Sequence, residues 1–366
     1  QEKKVKKKDF KLKKKGTSKA IKNIRYGDYY YKMHTQGNYR KALTYYLEAY
    51  DYNDQNPELN YKIGVCYIES IFGAKALPFL KSAFETKENV ASDIRLYLAH
   101  AYQLNYEFEK AVPIYQEYLS LTNDDYQKSI INKRIFECRS GIELMKSKQK
   151  LLITNMEVFN SNAKDYGSLI SADGSKMYFT SRRPNKTGGI DLKDEQFYED
   201  IYVVRKEGVY WTQPQNLKSL NTPGHDGAVG LSHDGNTMIL YYNGDLFFSN
   251  LEGENWSKPV AFPKTINSNE VESSACFSLD GNTLFFVRGK NPDPKKSNGD
   301  IYYSKKDNSG NWSEAVKLPD NINTPYDEDG LFMFADGKTL YFSSKGHNSM
   351  GGYDIFKTNI KEDGTF

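Results

Sequence analysis

Beyond residue 150 the apolar positions fall into short runs, and the same arrangement returns four times. Each unit carries an Asp-Gly pair, Asp173-Gly174, Asp234-Gly235, Asp280-Gly281 or Asp336-Gly337, thirteen residues after an Asn: Asn160, Asn221, Asn267 or Asn323. An aromatic-rich run follows: Met177-Tyr178-Phe179, Ile239-Leu240-Tyr241, Leu284-Phe285-Phe286 and Leu340-Tyr341-Phe342. Next comes an Asp, an apolar residue and an aromatic: Asp200-Ile201-Tyr202, Asp245-Leu246-Phe247, Asp300-Ile301-Tyr302 and Asp354-Ile355-Phe356. Trp211, Trp256 and Trp312 lie eleven or twelve residues after that Asp in the first three units. Asp-Gly between apolar runs is a strong hairpin signal. Short strands repeated at this spacing, each set closed by a Trp-containing strand, predict the blades of a β-propeller. From Asp-Gly to the next Asp the intervals are 27, 11, 20 and 18 residues, so insertions are expected in surface loops such as 182–199 and 289–299.

The first part of the chain has another period. Ala42, Ala76 and Ala111 fall 34 and 35 residues apart, with Gly64, Tyr67, Leu80 and Ala83 around one and Ala99, Tyr102, Tyr115 and Tyr118 around the next. Small residues at fixed offsets let two helices approach, and aromatics fill the space between pairs. This is the tetratricopeptide period. It predicts three helix pairs from Ile21 to Leu121 and a capping helix over Asp125–Lys148, with Ile130, Ile131, Ile135 and Phe136 on its apolar side. The fold class is therefore α plus all-β in two domains: an arm at 1–20, a helical solenoid at 21–150 and a propeller, incomplete at its end, at 151–366. The first helix of each pair faces the concave surface, which places Tyr31 and His34, then Tyr61, Val65 and Ile68, then Leu96, His100 and Gln103 in a groove suited to a peptide or protein segment.

Charge adds little. The chain of 366 residues carries a formal net charge of +3, which gives no global field for nucleic acid, and none is expected as a partner. Ten Lys between Lys3 and Lys19 read as a solvated tail, or as an arm that docks on an acidic or anionic surface. No apolar run is long enough to span a membrane. The chain begins with Gln1, which suggests a processed chain or a fragment. Cys66, Cys138 and Cys276 form no CxxC pair and read as buried thiols, with a Cys66–Cys138 bridge as the alternative. The five His form no metal pair, and neither a nucleophile elbow nor a phosphate-binding loop is present. No catalytic residue, metal site or cofactor is assigned. The repeated Asp residues read as turn chemistry; Asp327-Glu328-Asp329 could hold Ca²⁺ but reads more simply as a solvated loop.

Ile322-Asn323-Thr324-Pro325, Asp336 to Ser344, Gly346-His347 and Met350-Gly351-Gly352-Tyr353-Asp354-Ile355-Phe356 together resemble the WD40-like PD40 repeat. Following helical repeats, this version resembles the TPR–PD40–OmpA proteins of Bacteroidota, and among them the PorE-type periplasmic components of type IX secretion and gliding. The resemblance implies a non-enzymatic periplasmic scaffold. It implies an outer-membrane protein or lipoprotein as partner, of the PorP/SprF barrel type for example. It also implies about six blades and a C-terminal OmpA-like domain for peptidoglycan, so further sequence is expected after Phe366. Another envelope or uptake complex, and a propeller-associated hydrolase, are the competing readings.

Overall fold

The structure is a computed structural model describing residues 4–12, 15–147, 150–184, 187–192, 196–289, 298–361 and 364–366. The chain forms two compact units, Gln1–Gln149 and Lys150–Phe366.

The first unit is helical: α1 (Lys7–Phe10), α2 (Thr17–Tyr31), α3 (Gln36–Tyr50), α4 (Pro57–Ile68), α5 (Leu77–Thr86), α6 (Ile94–Leu104), α7 (Phe108–Leu121) and α8 (Asp125–Leu144). The pairs α2/α3, α4/α5 and α6/α7 are the three predicted by the period. Ala42, Ala76 and Ala111 are fully buried where the helices touch. Gly64 has the same purpose, since a Cβ there would overlap the Leu80 side chain. Asn56 caps α4 by accepting from the Leu59 amide at 2.9 Å, with Pro57 at the first helical position. Asp124 caps α8 through the amides of Tyr126 and Gln127. On α8, Ile131 and Ile135 are buried, whereas Phe136 is exposed, so the apolar stripe is narrower than expected.

The Lys-rich arm is not simply a solvated tail. Phe10 is buried, with its ring 5.5 Å from Tyr52. The Asn53 side chain donates to the Phe10 carbonyl at 2.9 Å, and the Leu12 amide donates to the Tyr52 hydroxyl at 3.0 Å. One aromatic among the lysines is enough to anchor the arm, because burying a Phe outweighs keeping a short polar segment free. The arm also ends early, since α2 begins at Thr17.

The second unit is a four-bladed propeller with the blades in chain order. The first blade holds β1 (Asp165–Ile170), β2 (Lys176–Ser181) and β5 (Asp200–Glu207), with the hairpin β3 (Ile190–Asp191) and β4 (Gln196–Phe197) in the predicted insertion, and short β6 (Tyr210–Trp211) and β7 (Gln215–Asn216). The second holds β8 (Asp226–Leu231), β9 (Thr237–Tyr242), β10 (Asp245–Glu252), β11 (Asn255–Trp256) and β12 (Val260–Ala261). The third holds β13 (Glu272–Phe277), β14 (Thr283–Arg288), β15 (Asp300–Lys305) and β16 (Val316–Lys317), and the fourth β17 (Glu328–Met333), β18 (Thr339–Ser344) and β19 (Asp354–Asn359). All pairings are antiparallel, and β1, β8, β13 and β17 lie side by side as the inner strands. Apolar side chains fill the junctions between blades, such as Ile201 and Val203 with Met238 and Leu240. Cys276 and Val287 with Leu331 and Phe342 fill another.

The Trp strand does not close each blade, as the repeat suggested. β6 and β11 extend the hairpin beyond the third strand, and the outermost position belongs to β7, β12 and β16. Trp256 instead fills the junction with the preceding blade, 5.8 Å from the Tyr178 ring.

The repeated Asn holds the blades in series. Asn267 Oδ1 accepts from the Leu246 amide at 2.9 Å, and its Nδ2 donates to the carbonyls of Leu246 at 2.9 Å and Phe262 at 3.1 Å. Asn323 does the same to Ile301 and Leu318, and Asn221 to Ile201. A side-chain amide carries an acceptor oxygen and two N–H donors, so it stands in for a peptide group and extends the ladder across the junction. A second repeated device sits beside it. The carboxylate four residues after a Ser or Thr takes that residue's amide and hydroxyl: Asp165 with Ser161, Asp226 with Thr222, Glu272 with Ser268 and Glu328 with Thr324.

Candidate functional site

The helical unit brings some of the sequence-assigned residues together and buries others. Tyr61 and Tyr97 stand with ring centroids 6.2 Å apart on neighbouring repeats, and the Tyr61 hydroxyl donates to Asp93 at 2.7 Å. His34 is exposed, in the left-handed region at φ 50°, and its Nδ1 meets the Tyr39 hydroxyl at 2.8 Å. Ile68, Leu96 and His100 are half-buried. Burial drives the His100 imidazole down to about 3, helped by the positive charge of Arg134. Burial raises Glu69, and Arg134 and His34 oppose that shift.

Three assignments need correction. Tyr31 (5% exposed), Val65 (1%) and Gln103 (6%) face the helix-packing core and present no surface to a partner. Tyr31 packs edge-on against Tyr39 at 5.5 Å. Gln103 accepts from the Tyr115 hydroxyl and donates to Glu137, both at 2.9 Å. Sequence reasoning missed Tyr97, which takes the aromatic position beside Tyr61 that the period assigned to Leu96.

The propeller offers a second concave surface that the sequence did not reveal. A cavity of about 650 Å³ lies among the inner strands, lined by Leu169, Ala228, Val229, Tyr241, Leu331 and Phe332 with Ser273 and Ser274. At its edge Glu199 accepts from the Tyr166 hydroxyl at 3.0 Å and pairs with Arg182 at 3.5 Å. His225 lies between Glu199 on its Nδ1 side and Asp191, 3.3 Å from its Nε2. The His225 ring also meets Tyr198 edge-on at 4.6 Å. The cluster fastens the β3–β4 insertion to the loop before β8.

The remaining carboxylates are absorbed by turns and strand ends. Asp280 Oδ1 accepts from Ser278 Oγ and the Asn282 amide, and the equivalent Asp173, Asp234 and Asp336 serve their own turns. These bonds hold all four carboxyls below the ordinary carboxylate range. The Gly after each has φ between 67° and 73°, which a side chain rarely adopts. The Asp that opens each third strand has no single role: Asp200 accepts from Asn216, Asp300 pairs with Lys317 and Asp354 takes the Met350 amide. Asp327 turns to Lys345 at 2.7 Å, while Glu328 is buried on Thr324 and Ser344, so the Asp327-Glu328-Asp329 run does not converge on a cation. Cys66, Cys138 and Cys276 are free and buried, and the alternative Cys66–Cys138 bridge does not form.

The architecture is a helical-repeat unit followed by a four-bladed propeller with a cavity among its inner strands. Compared with protein families and with curated proteins, the chain gives no match. Among solved structures it is similar to a putative TolB from Agrobacterium tumefaciens (TM-score 0.34, 13% identity, 57% of this chain and 81% of that one). It is also similar to a GH43 endo-arabinanase from Bacillus licheniformis (0.36, 9%, 59% and 81%). A prolyl endopeptidase is matched over 57% of this chain but 26% of its own (0.32, 14%). Likeness at this level does not distinguish binding proteins from enzymes.

Proposed function

We propose that this protein is a non-enzymatic periplasmic scaffold that binds a protein partner at the outer membrane, in the type IX secretion or gliding machinery. The observation that carries the proposal is the aromatic pair that successive repeats form, Tyr61 and Tyr97, both half-buried, with His34 exposed on the preceding repeat. Rigid aromatics with a polar rim suit a peptide or protein segment. The resemblance to TPR–PD40–OmpA proteins supports the compartment, an outer-membrane barrel or lipoprotein as partner, and attachment to peptidoglycan through an OmpA-like domain. The histidine at the propeller cavity supports the non-enzymatic part. Both its ring nitrogens face carboxylates, so it offers none to activate a serine.

The test is capture of outer-membrane proteins from a detergent extract by the immobilised chain. A variant combining His34→Ala, Leu96→Ala and His100→Ala, checked for an unchanged melting temperature, should capture the partner at least tenfold less well. Undiminished capture by that folded variant would move the site to the propeller. Peptidase activity that survives repurification would replace the scaffold reading with the hydrolase one.

A further inference from the structure

At all three blade junctions two acids rise from neighbouring backbone. The amide of the inner-strand acid donates to the carbonyl just before the third-strand Asp: Asp226 to Glu199 at 3.0 Å, Glu272 to Gly244 at 2.8 Å and Glu328 to Gly299 at 2.7 Å. Two of the junctions supply a cation. Arg288 pairs with Glu272 at 2.8 Å, and its neighbour Asp245 is only half-buried. Lys317 pairs with Asp300 at 2.8 Å, beside Glu328. The first junction buries both of its acids, Asp200 (0% exposed) and Asp226 (1%), and neither has an ion pair among the described residues.

The register shows which charges are missing. Asn216 faces Tyr202 as Lys317 faces Tyr302, so an amide stands where the third blade has an ammonium. Tyr242 faces Asp226 as Arg288 faces Glu272, so a phenol stands where the third blade has a guanidinium. The Tyr242 hydroxyl donates elsewhere, to the Leu220 carbonyl at 2.6 Å. Burial pushes Asp226 up to about 6 against the bonds from Thr222, and the charge of Asp200 adds to the rise.

Charges withdrawn from water are normally paired or bound to a metal ion. A shared proton does not meet the need here. Both Asp226 oxygens accept, from the Thr222 amide at 2.6 Å and its hydroxyl at 2.7 Å. Asp200 Oδ2 accepts from Asn216 at 2.7 Å and Thr187 at 3.1 Å. Donors around a carboxylate favour its ionised form. The remaining oxygen, Asp200 Oδ1, is buried without a partner, so a proton placed there would find no acceptor.

We propose that Asp200 and Asp226 bind a calcium ion between the first and second blades, where the third blade uses Lys317 and Arg288 instead. An all-oxygen donor set with two negative charges suits a hard divalent cation. Ca²⁺ accepts irregular oxygen geometry completed by water, whereas Mg²⁺ demands a near-ideal octahedron. The ion ties β5 to β8, so it stabilises the junction that lacks a cation of its own.

The test uses the whole chain, stripped of metal by a chelator and returned to chelator-free buffer. Calorimetric titration with CaCl₂ should show a single site. Saturating Ca²⁺ should raise the midpoint followed by Trp emission by at least about 3 °C, and MgCl₂ at equal ionic strength should raise it less. Asp200→Asn and Asp226→Asn should each weaken Ca²⁺ binding by at least about tenfold. Asn216→Lys restores the ammonium of the third blade. It keeps both carboxylates, and it should melt above the stripped parent and lose the response to Ca²⁺. No Ca²⁺ binding to the stripped parent at millimolar concentration would overturn the proposal. So would binding that persists unchanged in the folded Asp200→Asn and Asp226→Asn chains, which would place the ion elsewhere. Proton uptake near neutral pH with no calcium response would mark a protonated pair instead and overturn it as well.

Discussion

Replacing Asn267 by Ala asks how much one junction amide stabilises the propeller. Asn267 is 2% exposed and makes three bonds of 2.9–3.1 Å, to the amide of Leu246 and the carbonyls of Leu246 and Phe262. A typical intramolecular hydrogen bond contributes about 1 kcal/mol net, so the truncation should cost about 3 kcal/mol. Part of this is the Leu246 N–H, left buried without its acceptor. For a unit of this size each kcal/mol moves the midpoint by about 2–4 °C, so the propeller transition should fall by about 6–12 °C. All three Trp lie between Lys150 and Phe366, so Trp emission follows this unit without signal from the helices. Asn267→Asp should cost more than Asn267→Ala. It keeps an acceptor for Leu246 but turns a carboxylate oxygen towards two carbonyls. Asn160→Ala supplies the internal control and should move the midpoint of dilute protein by no more than about 0.5 kcal/mol, as expected of an exposed site. Equal effects at Asn267 and Asn160 would refute the clamp.

Phe10→Ala should destabilise the helical unit by about 3–5 kcal/mol, the usual cost of emptying a buried Phe site; a far-UV CD midpoint unchanged within 1 °C would return the arm to the solvated reading. His100 gives a pH prediction. Its folded value lies near 3 and its unfolded value near 6.5, so between them the unfolded chain binds the proton and the folded one does not. Stability from this group is therefore present above about pH 6.5 and is lost as pH falls towards 3, by up to about 1.4 kcal/mol per pH unit. Thermal melts at pH 7 and pH 5 should show a smaller acid loss in His100→Gln than in the parent; equal losses would mean that the imidazole is not desolvated.

The architecture was legible because periodicity and turn chemistry are local. The 34–35-residue spacing of Ala42, Ala76 and Ala111 located the helix pairs, and Asp-Gly with an aromatic run located the strands. What escaped depends on contacts between distant residues. Asn267 was visible as a repeat mark, but its grip on Leu246 joins two units that no local pattern relates. The Ser/Thr-x-x-x-Asp/Glu spacing stood in all four units and would have flagged the second device. Trp256 looked like a strand that closes its own blade because spacing says nothing of which neighbour a side chain fills. In the helical unit the 35-residue spacing pairs Tyr61 with Leu96, whereas the ring that meets Tyr61 belongs to Tyr97, a contact that spacing alone does not fix.

The clamp also bears on how such a protein can grow. The sequence repeat is offset from the blade: each unit brings the Asn that fastens its predecessor and the Asp-apolar pair that its successor will grip. Tandem duplication of one unit would therefore insert a complete blade and restore every grip on both sides of the insertion. Copy number can thus change by whole units, wherever the period is cut, while each junction keeps its chemistry.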